Sequence, residues 1–150
     1  MEPLLLTEPD QKVKDYLLTI ARQSIEFHLS DKNYYAVLPA EYPQLEDPAA
    51  TFVTLKKQSG ILRGCIGNLQ AYEALYLSVS HNAVSAAFHD PRFTALESHE
   101  WPDLELSISI LSAASPLIVS SEMELKQKLR PEVDGLILKE GSHNATFLPS

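Results

Sequence analysis

Thr51-Phe52-Val53-Thr54-Leu55-Lys56, the short polar stretch Gln58-Ser59-Gly60, and then Leu62-Arg63-Gly64-Cys65-Ile66-Gly67 together decide the fold. Two runs rich in β-branched and apolar residues, joined by a short glycine-containing loop, read as a β-hairpin. The second run holds the only cysteine of the chain and two of its five glycines. Glycine is a poor strand residue, so two of them flanking one cysteine predict a bulge or a close backbone approach. Period-2 alternation puts Leu62, Gly64 and Ile66 on one face and Arg63, Cys65 and Gly67 on the other. That register sets a guanidinium beside a thiol on a surface that Gly67 leaves open.

The sequence on either side supplies the elements that cover this hairpin. Thr7-Glu8-Pro9-Asp10 reads as a helix start with Thr7 as N-cap. Val13, Tyr16, Leu17, Ile20, Ala21, Ser24 and Phe27 follow at helical spacing, so the first helix is expected from about Glu8 to Leu29. Residues 30–50 carry Tyr34, Tyr35, Tyr42, Pro39, Pro43 and Pro48 without a period and read as an ordered loop. After the hairpin a helix is expected from about Tyr72 to Asp90, stopped by Pro91. From Ala74 to Phe88 it has no Asp, Glu, Lys or Arg. Its two apolar arcs leave only a narrow polar stripe of Ser78, Asn82, Ser85 and His89. A helix apolar nearly all round is a buried one. Such a stripe must then find hydrogen bonds, water or a ligand.

Leu104, Leu106, Ile108 and Ile110 alternate with Glu105, Ser107 and Ser109, the pattern of a half-buried strand. Ser121 caps a short helix through Leu129, and Pro131 ends it. Leu136–Lys139 and Ala145–Leu148 form a second hairpin. The sum is an α+β fold: a mainly antiparallel sheet built from hairpins, packed against a long N-terminal helix and a buried central helix.

Composition narrows the class of function. One hundred and fifty residues, 45% hydrophobic and 21% charged, suit a single globular domain. Twelve basic against twenty acidic residues give −8, with no basic run, which argues against nucleic-acid binding. No apolar run approaches the ~18 residues of a membrane span, and the N-terminal residues lack the basic and apolar regions of a signal peptide. A lone cysteine forms no internal disulfide and fits a reducing compartment. The expected location is therefore the cytoplasm.

The candidates for chemistry centre on the hairpin. Cys65 beside an arginine is a candidate nucleophile or metal ligand, its thiol pKa lowered by the guanidinium; the alternative is a small hydrophobe packed in the core. Arg63 recognises carboxylate or phosphate through its fork, or is tied up in an ion pair with a carboxylate of the chain. Asp90-Pro91-Arg92-Phe93 closes the central helix, and His89, Asp90 and Arg92 are candidates to line a pocket there. His81 and His89 lie eight residues apart, out of phase on the helix, so no metal site is expected. No phosphate loop, nucleophile elbow or dinucleotide fingerprint is present, and no cofactor is expected.

The hexapeptide Leu62–Gly67 resembles the signature of the AMMECR domain family, of the AmmeMemoRadiSam system protein A type. Thr51–Lys56, Ala86–Phe93, Asp103–Leu111, Leu129-Arg130-Pro131 with Val133–Leu138, and Thr146–Pro149 match in the same order. The resemblance implies one domain over residues 1–150, ending before the C-terminal portion such domains usually carry. It further implies an uncharacterised enzyme or catalytic accessory in a small-molecule or protein-modifying pathway, alongside a Memo-type protein and a radical S-adenosylmethionine protein. On that reading Cys65, Arg63 and His89 are the catalytic candidates. Leu62, Gly64, Ile66, Gly67, Asn82, Asp90 and Arg92 line the site for a small-molecule ligand. The alternative is a non-catalytic module that binds other proteins through the hairpin surface. Catalysis predicts that the stripe Ser78–Asn82–Ser85–His89 converges with Cys65 in a concave pocket. A binding module predicts exposed apolar residues beside the hairpin. Oligomeric state is left open.

Overall fold

The computed structural model describes residues 10–33, 36 and 41–148. Contacts divide the chain into two units, Met1–Ala113 and Ala114–Ser150.

The first unit holds α1 (Gln11–Leu29), β1 (Ala50–Lys57), β2 (Leu62–Gly67), α2 (Leu75–Phe88) and β3 (Leu104–Leu111), with short 3₁₀ turns at Pro43–Glu46 and Trp101–Asp103. Its three strands are antiparallel in the order β2-β1-β3. The helix expected to start with Thr7 as its cap begins instead at Gln11. The Asp10 carboxylate accepts the Val13 N–H at 2.9 Å and so satisfies one of the donors a helix start leaves open. Thr7, Glu8 and Pro9 lie outside the described residues, as do Tyr34, Tyr35 and Pro39.

Val13, Leu17, Ile20, Ala21, Ser24 and Ile25 form the buried arc of α1. Phe27, expected on that arc, falls on its rim and is 37% exposed, while Ile25 is fully buried. The core joins this arc to Val79, Ala83, Ala86 and Ala87 of α2 and to Val53 and Leu55 of β1. Each Leu, Ile or Val buried there contributes about 1.5–3 kcal/mol before conformational entropy is counted. Both helices pack against the sheet, α2 on β1 and β2 and α1 on α2 and β3. The alanines of α2 keep that helix close to the strands.

Two members of the uncharged polar stripe of α2, Ser78 and Asn82, are satisfied inside this layer. Ser78 Oγ lies 2.8 Å from Thr51 Oγ1. The Asn82 amide donates toward Asn68 Oδ1 at 2.8 Å, Thr51 Oγ1 at 2.9 Å and the Thr51 carbonyl at 3.1 Å. Ser80, one residue pair away, bridges to Ser24 of α1 at 2.8 Å. Buried hydroxyls and amides without such partners would each cost about 1–3 kcal/mol. The network therefore fixes the rotation of α2 against β1 and α1.

The second unit holds α3 (Glu122–Lys128) and the antiparallel pair β4 (Leu136–Glu140) and β5 (His143–Phe147). Ser121 caps α3 by accepting the Glu124 N–H at 3.1 Å. Arg130 forks onto Asp134 at 2.8 and 3.0 Å just before the hairpin.

Candidate functional site

The β1–β2 register carries a fault where the sequence alternation assumes none. Leu55 faces Gly64 but Lys56 faces Leu62, which leaves Arg63 in a bulge. A bulge re-aims the side chain it carries. Arg63 accordingly does not sit beside the thiol as alternation implies. It is 6% exposed and forks onto Glu100, with Nε donating to Oε1 at 2.9 Å and Nη2 to Oε2 at 3.2 Å. Nη2 also donates to the Thr94 carbonyl at 2.9 Å. The Arg63 hydrogen bond, opposed by desolvation, draws the Glu100 carboxyl down to about 2. Arg63 is in the first place a structural ion pair, tying β2 to the segment after α2. Its Nη1 is buried without an acceptor among the described residues.

The guanidinium that does reach Cys65 belongs to Arg92. Asp90, 2% exposed at its side chain, organises the arrangement. Its Oδ2 accepts the Cys65 N–H at 3.0 Å and Arg92 Nη2 at 2.9 Å. Its Oδ1 accepts the Arg92 backbone N–H at 3.1 Å and Arg92 Nε at 3.0 Å. Arg92 Nη2 lies 3.4 Å from the Cys65 carbonyl oxygen. The Arg92 hydrogen bond, with smaller help from the Cys65 N–H, holds the Asp90 carboxyl far below the usual range against the opposing effect of burial. Arg92 is raised in turn, first by its hydrogen bond to Asp90, against the opposing effect of burial. The Asp90–Arg92 pair thus engages both backbone polar groups of Cys65. Those groups point away from β1, so the pair stands where another strand would hydrogen-bond and covers that part of the open β2 edge.

Cys65 itself is half-buried, and its Sγ lies 3.2 Å from Thr54 Oγ1. Thr54 faces Cys65 on one side and Ser107 on the other, so thiol and hydroxyls form a row across all three strands. The row lies on the sheet face opposite Val53 and Leu55, which point into the core. Gly64 lies on the helix side. A Cβ there would run into the Ala86 carbonyl oxygen, with the carbonyl carbon only 3.1 Å away. A Cβ on Gly67 would meet the Thr51 carbonyl and the Phe52 ring. Leu62 and Ile66 are partly buried, and Ile66 packs against the core. Phe93 lies under both guanidiniums, 5.5 Å from Arg92 Cζ and 5.8 Å from Arg63 Cζ.

Two other candidates stand apart from Cys65. Asn82 is committed to Thr51 and Asn68, on the helix side of the sheet. His89 ends α2, is exposed, and lies edge-on to His28 with ring centroids 6.3 Å apart. Ser78, Asn82 and His89 of the polar stripe therefore do not converge on the thiol: the helix–sheet interface takes up the first two, and the third lies at the helix end beside His28. An open groove of about 590 Å³ runs past His28, Leu29, Phe88, Leu96 and Glu97–His99, and Cys65 is not among its lining residues. Among the described residues no group of three His, Cys, Asp or Glu side chains is placed to hold a metal ion.

The AMMECR1 family profile matches residues 18–150. The chain belongs to the AMMECR1 family. Among its AMMECR1 relatives is Protein NEQ441 of Nanoarchaeum equitans (strain Kin4-M), 33% identical over 134 residues that make up 89% of this chain and 73% of that protein. A Methanothermobacter thermautotrophicus protein is 38% identical over 135 residues, 89% of this chain and 69% of its own length. In three dimensions the chain is similar to the uncharacterized protein PH0010 from Pyrococcus horikoshii, with a TM-score of 0.81 and 29% identity over 92% of this chain and 70% of that one. The α+β fold with antiparallel sheets is thus an AMMECR1 fold. No helix among the described residues is long and apolar enough to cross a membrane.

In this AMMECR1 chain the structure brings together Cys65, Asp90 and Arg92 from the expected set, and Arg63 joins them only through Phe93. Sequence reasoning missed Thr54, Ser107 and Glu100. Alternation along β1 already turns Thr54 to the Cys65 face. Nothing in the sequence points to Glu100 as the partner of Arg63, because the two are 37 positions apart with a helix between them.

Proposed function

We propose that the open sheet face around Cys65 is the working surface of this AMMECR1-family chain and that it acts by binding. One observation carries the reading. A buried, ionised Asp90 uses its carboxylate to hold the Cys65 backbone and the Arg92 side chain next to each other at the surface. Burying a carboxylate is costly unless it is paired, and this pairing serves to fix a thiol and an arginine in place. Exposed apolar side chains flank the hairpin, Ile61 at its turn and Leu69 and Tyr72 beyond its end, as a binding module requires. Ser78 and Asn82 of the α2 stripe bond to Thr51 and Asn68 on the helix side of the sheet, not to the Cys65 face. In this reading the chain works in the cytoplasm as the docking component beside a Memo-type and a radical S-adenosylmethionine protein.

The lone cysteine gives a clean test. Alkylating Cys65 with N-ethylmaleimide is expected to weaken binding to purified Memo-type or radical S-adenosylmethionine protein, measured by calorimetry, by about tenfold or more. Equal affinity of alkylated and unmodified protein would remove the proposal. A second reading, in which Cys65 is a nucleophile of an enzyme or catalytic accessory, draws on its partial exposure and its hydroxyl neighbour Thr54. It requires a Cys65 adduct detectable by mass spectrometry after incubation with cell extract, absent in Cys65→Ala.

A further inference from the structure

We infer that the group held at this face is a small oxyanion, a carboxylate or a phosphate, gripped by Arg92; the inference rests on the reading of the Cys65 face as a binding surface. The first support is an imbalance of donors and acceptors. Both oxygens of Asp90 and both of Glu100 already accept hydrogen bonds, as do the Thr94 and Cys65 carbonyls. On the donor side, Arg63 Nη1 has no acceptor among the described residues, but it is buried away from solvent and is not itself part of the open face. Arg92 Nη1 meets no acceptor among the described residues, and the Arg92 side chain is 56% exposed. Thr54 and Cys65 add a hydroxyl and a thiol, of which one proton serves their mutual contact. The solvent-facing edge of the Arg92 guanidinium can only donate, and so is complementary to an acceptor-only ligand group.

The second support is the rigidity of the arginine. An exposed arginine ordinarily loses side-chain entropy on binding. Arg92 has already lost it. Two hydrogen bonds from Nε and Nη2 lock it to a buried carboxylate, its backbone N–H adds a third, and Phe93 lies 5.5 Å beneath the guanidinium. One edge of the fork is fixed on Asp90, so the free Nη1 presents its N–H groups in a set direction. Fixed donors of this kind favour planar or tetrahedral oxyanions over chloride. Because the chain carries −8 overall, affinity for anions at this place is local and not a property of the whole surface.

The test is an NMR titration of the full chain with inorganic phosphate and, separately, with acetate, against sodium chloride at matched ionic strength. Saturable shifts of the Cys65 amide and the Arg92 Nε–H are expected with at least one oxyanion, and which one answers identifies carboxylate or phosphate as the ligand group. Arg92→Gln should weaken the response by about tenfold or more. Arg92→Lys retains the charge and the partner of Asp90 but not the fork, so it should bind more weakly than the native protein even if Arg92→Gln unfolds. Shifts that are linear, match those from chloride, or survive in Arg92→Lys unchanged overturn the oxyanion. If they do so while alkylation of Cys65 still abolishes partner binding, the oxyanion falls and the binding surface stands.

Discussion

Replacing Gly64 with alanine places a methyl group against the carbonyl of Ala86, where the structure leaves room for a hydrogen only. The obstacle is backbone: the new Cβ would overlap the carbonyl oxygen and lie 3.1 Å from its carbon and 3.7 Å from the Ala86 Cα. No rotamer change relieves it, so β2 and α2 must separate by about an ångström, which forfeits a quarter to a half of the attraction between the surfaces that move apart. Overpacking of this kind costs about 1–3 kcal/mol, and the unyielding neighbour puts Gly64→Ala at the upper end. Alanine also restricts the unfolded chain, which returns about 0.4–1 kcal/mol. The net loss is about 2 kcal/mol. In urea the midpoint should fall by about 1 M at an ordinary slope, and the melting temperature by about 4–8 °C. Ser107→Ala, on the exposed face, serves as the comparison and should stay within about 0.5 kcal/mol. A Gly64→Ala midpoint within about 0.2 M of the native protein would show that this glycine does not set the spacing of helix and sheet.

Other perturbations follow from the same geometry. Asp90→Asn leaves Arg92 without its counter-charge and should cost about 2 kcal/mol at pH 7. Because the folded carboxyl is depressed, that contribution is fully present above its unfolded value of about 3.9 and fades as pH falls below it, so urea midpoints of the two proteins should draw together between pH 7 and pH 3; a constant gap counts against the ionised Asp90. Glu100→Gln strands the buried Arg63 charge and should cost about 3 kcal/mol. There the gap should close as pH drops from the ordinary 4.5 toward about 2, followed by circular dichroism. Iodoacetamide should label Cys65 in the folded protein more slowly than in the denatured chain, since the thiol is half-buried and in contact with Thr54. Complete protection until denaturation would place it in the core instead.

Much of this architecture was legible because it follows from local pattern. The hairpin, the charge-free central helix, the alternating strand Leu104–Leu111 and the cap at Ser121 each depend on neighbours within a few positions, where periodicity and turn chemistry act directly. The two glycines of β2 announced a bulge or a close approach, and the structure has both: a bulge at Arg63 and the Ala86 carbonyl against Gly64. The start of α1 was placed too early, since Thr7 and Asp10 are both good caps and only the geometry selects between them. The chain's membership of the AMMECR1 family was likewise readable in Leu62–Gly67.

The site was less legible, and one residue shows why. A single bulge reversed the expectation for Arg63, moving its guanidinium from the thiol to Glu100, and alternation has no means of signalling a register fault. Asn82 and His89 share a helix stripe that looks, in sequence, as available to a ligand as to the fold. Hydrogen bonds to Thr51 and Asn68 claimed Asn82, and the end of the helix turned His89 toward His28. Sequence by itself therefore determined which segments fold as strands and helices and which faces they bury, because those depend on short-range spacing and on hydrophobicity. Tertiary structure alone decided which arginine meets the cysteine, because ion pairs and hydrogen bonds reach only about 3 Å and join residues whose separation along the chain carries no pattern.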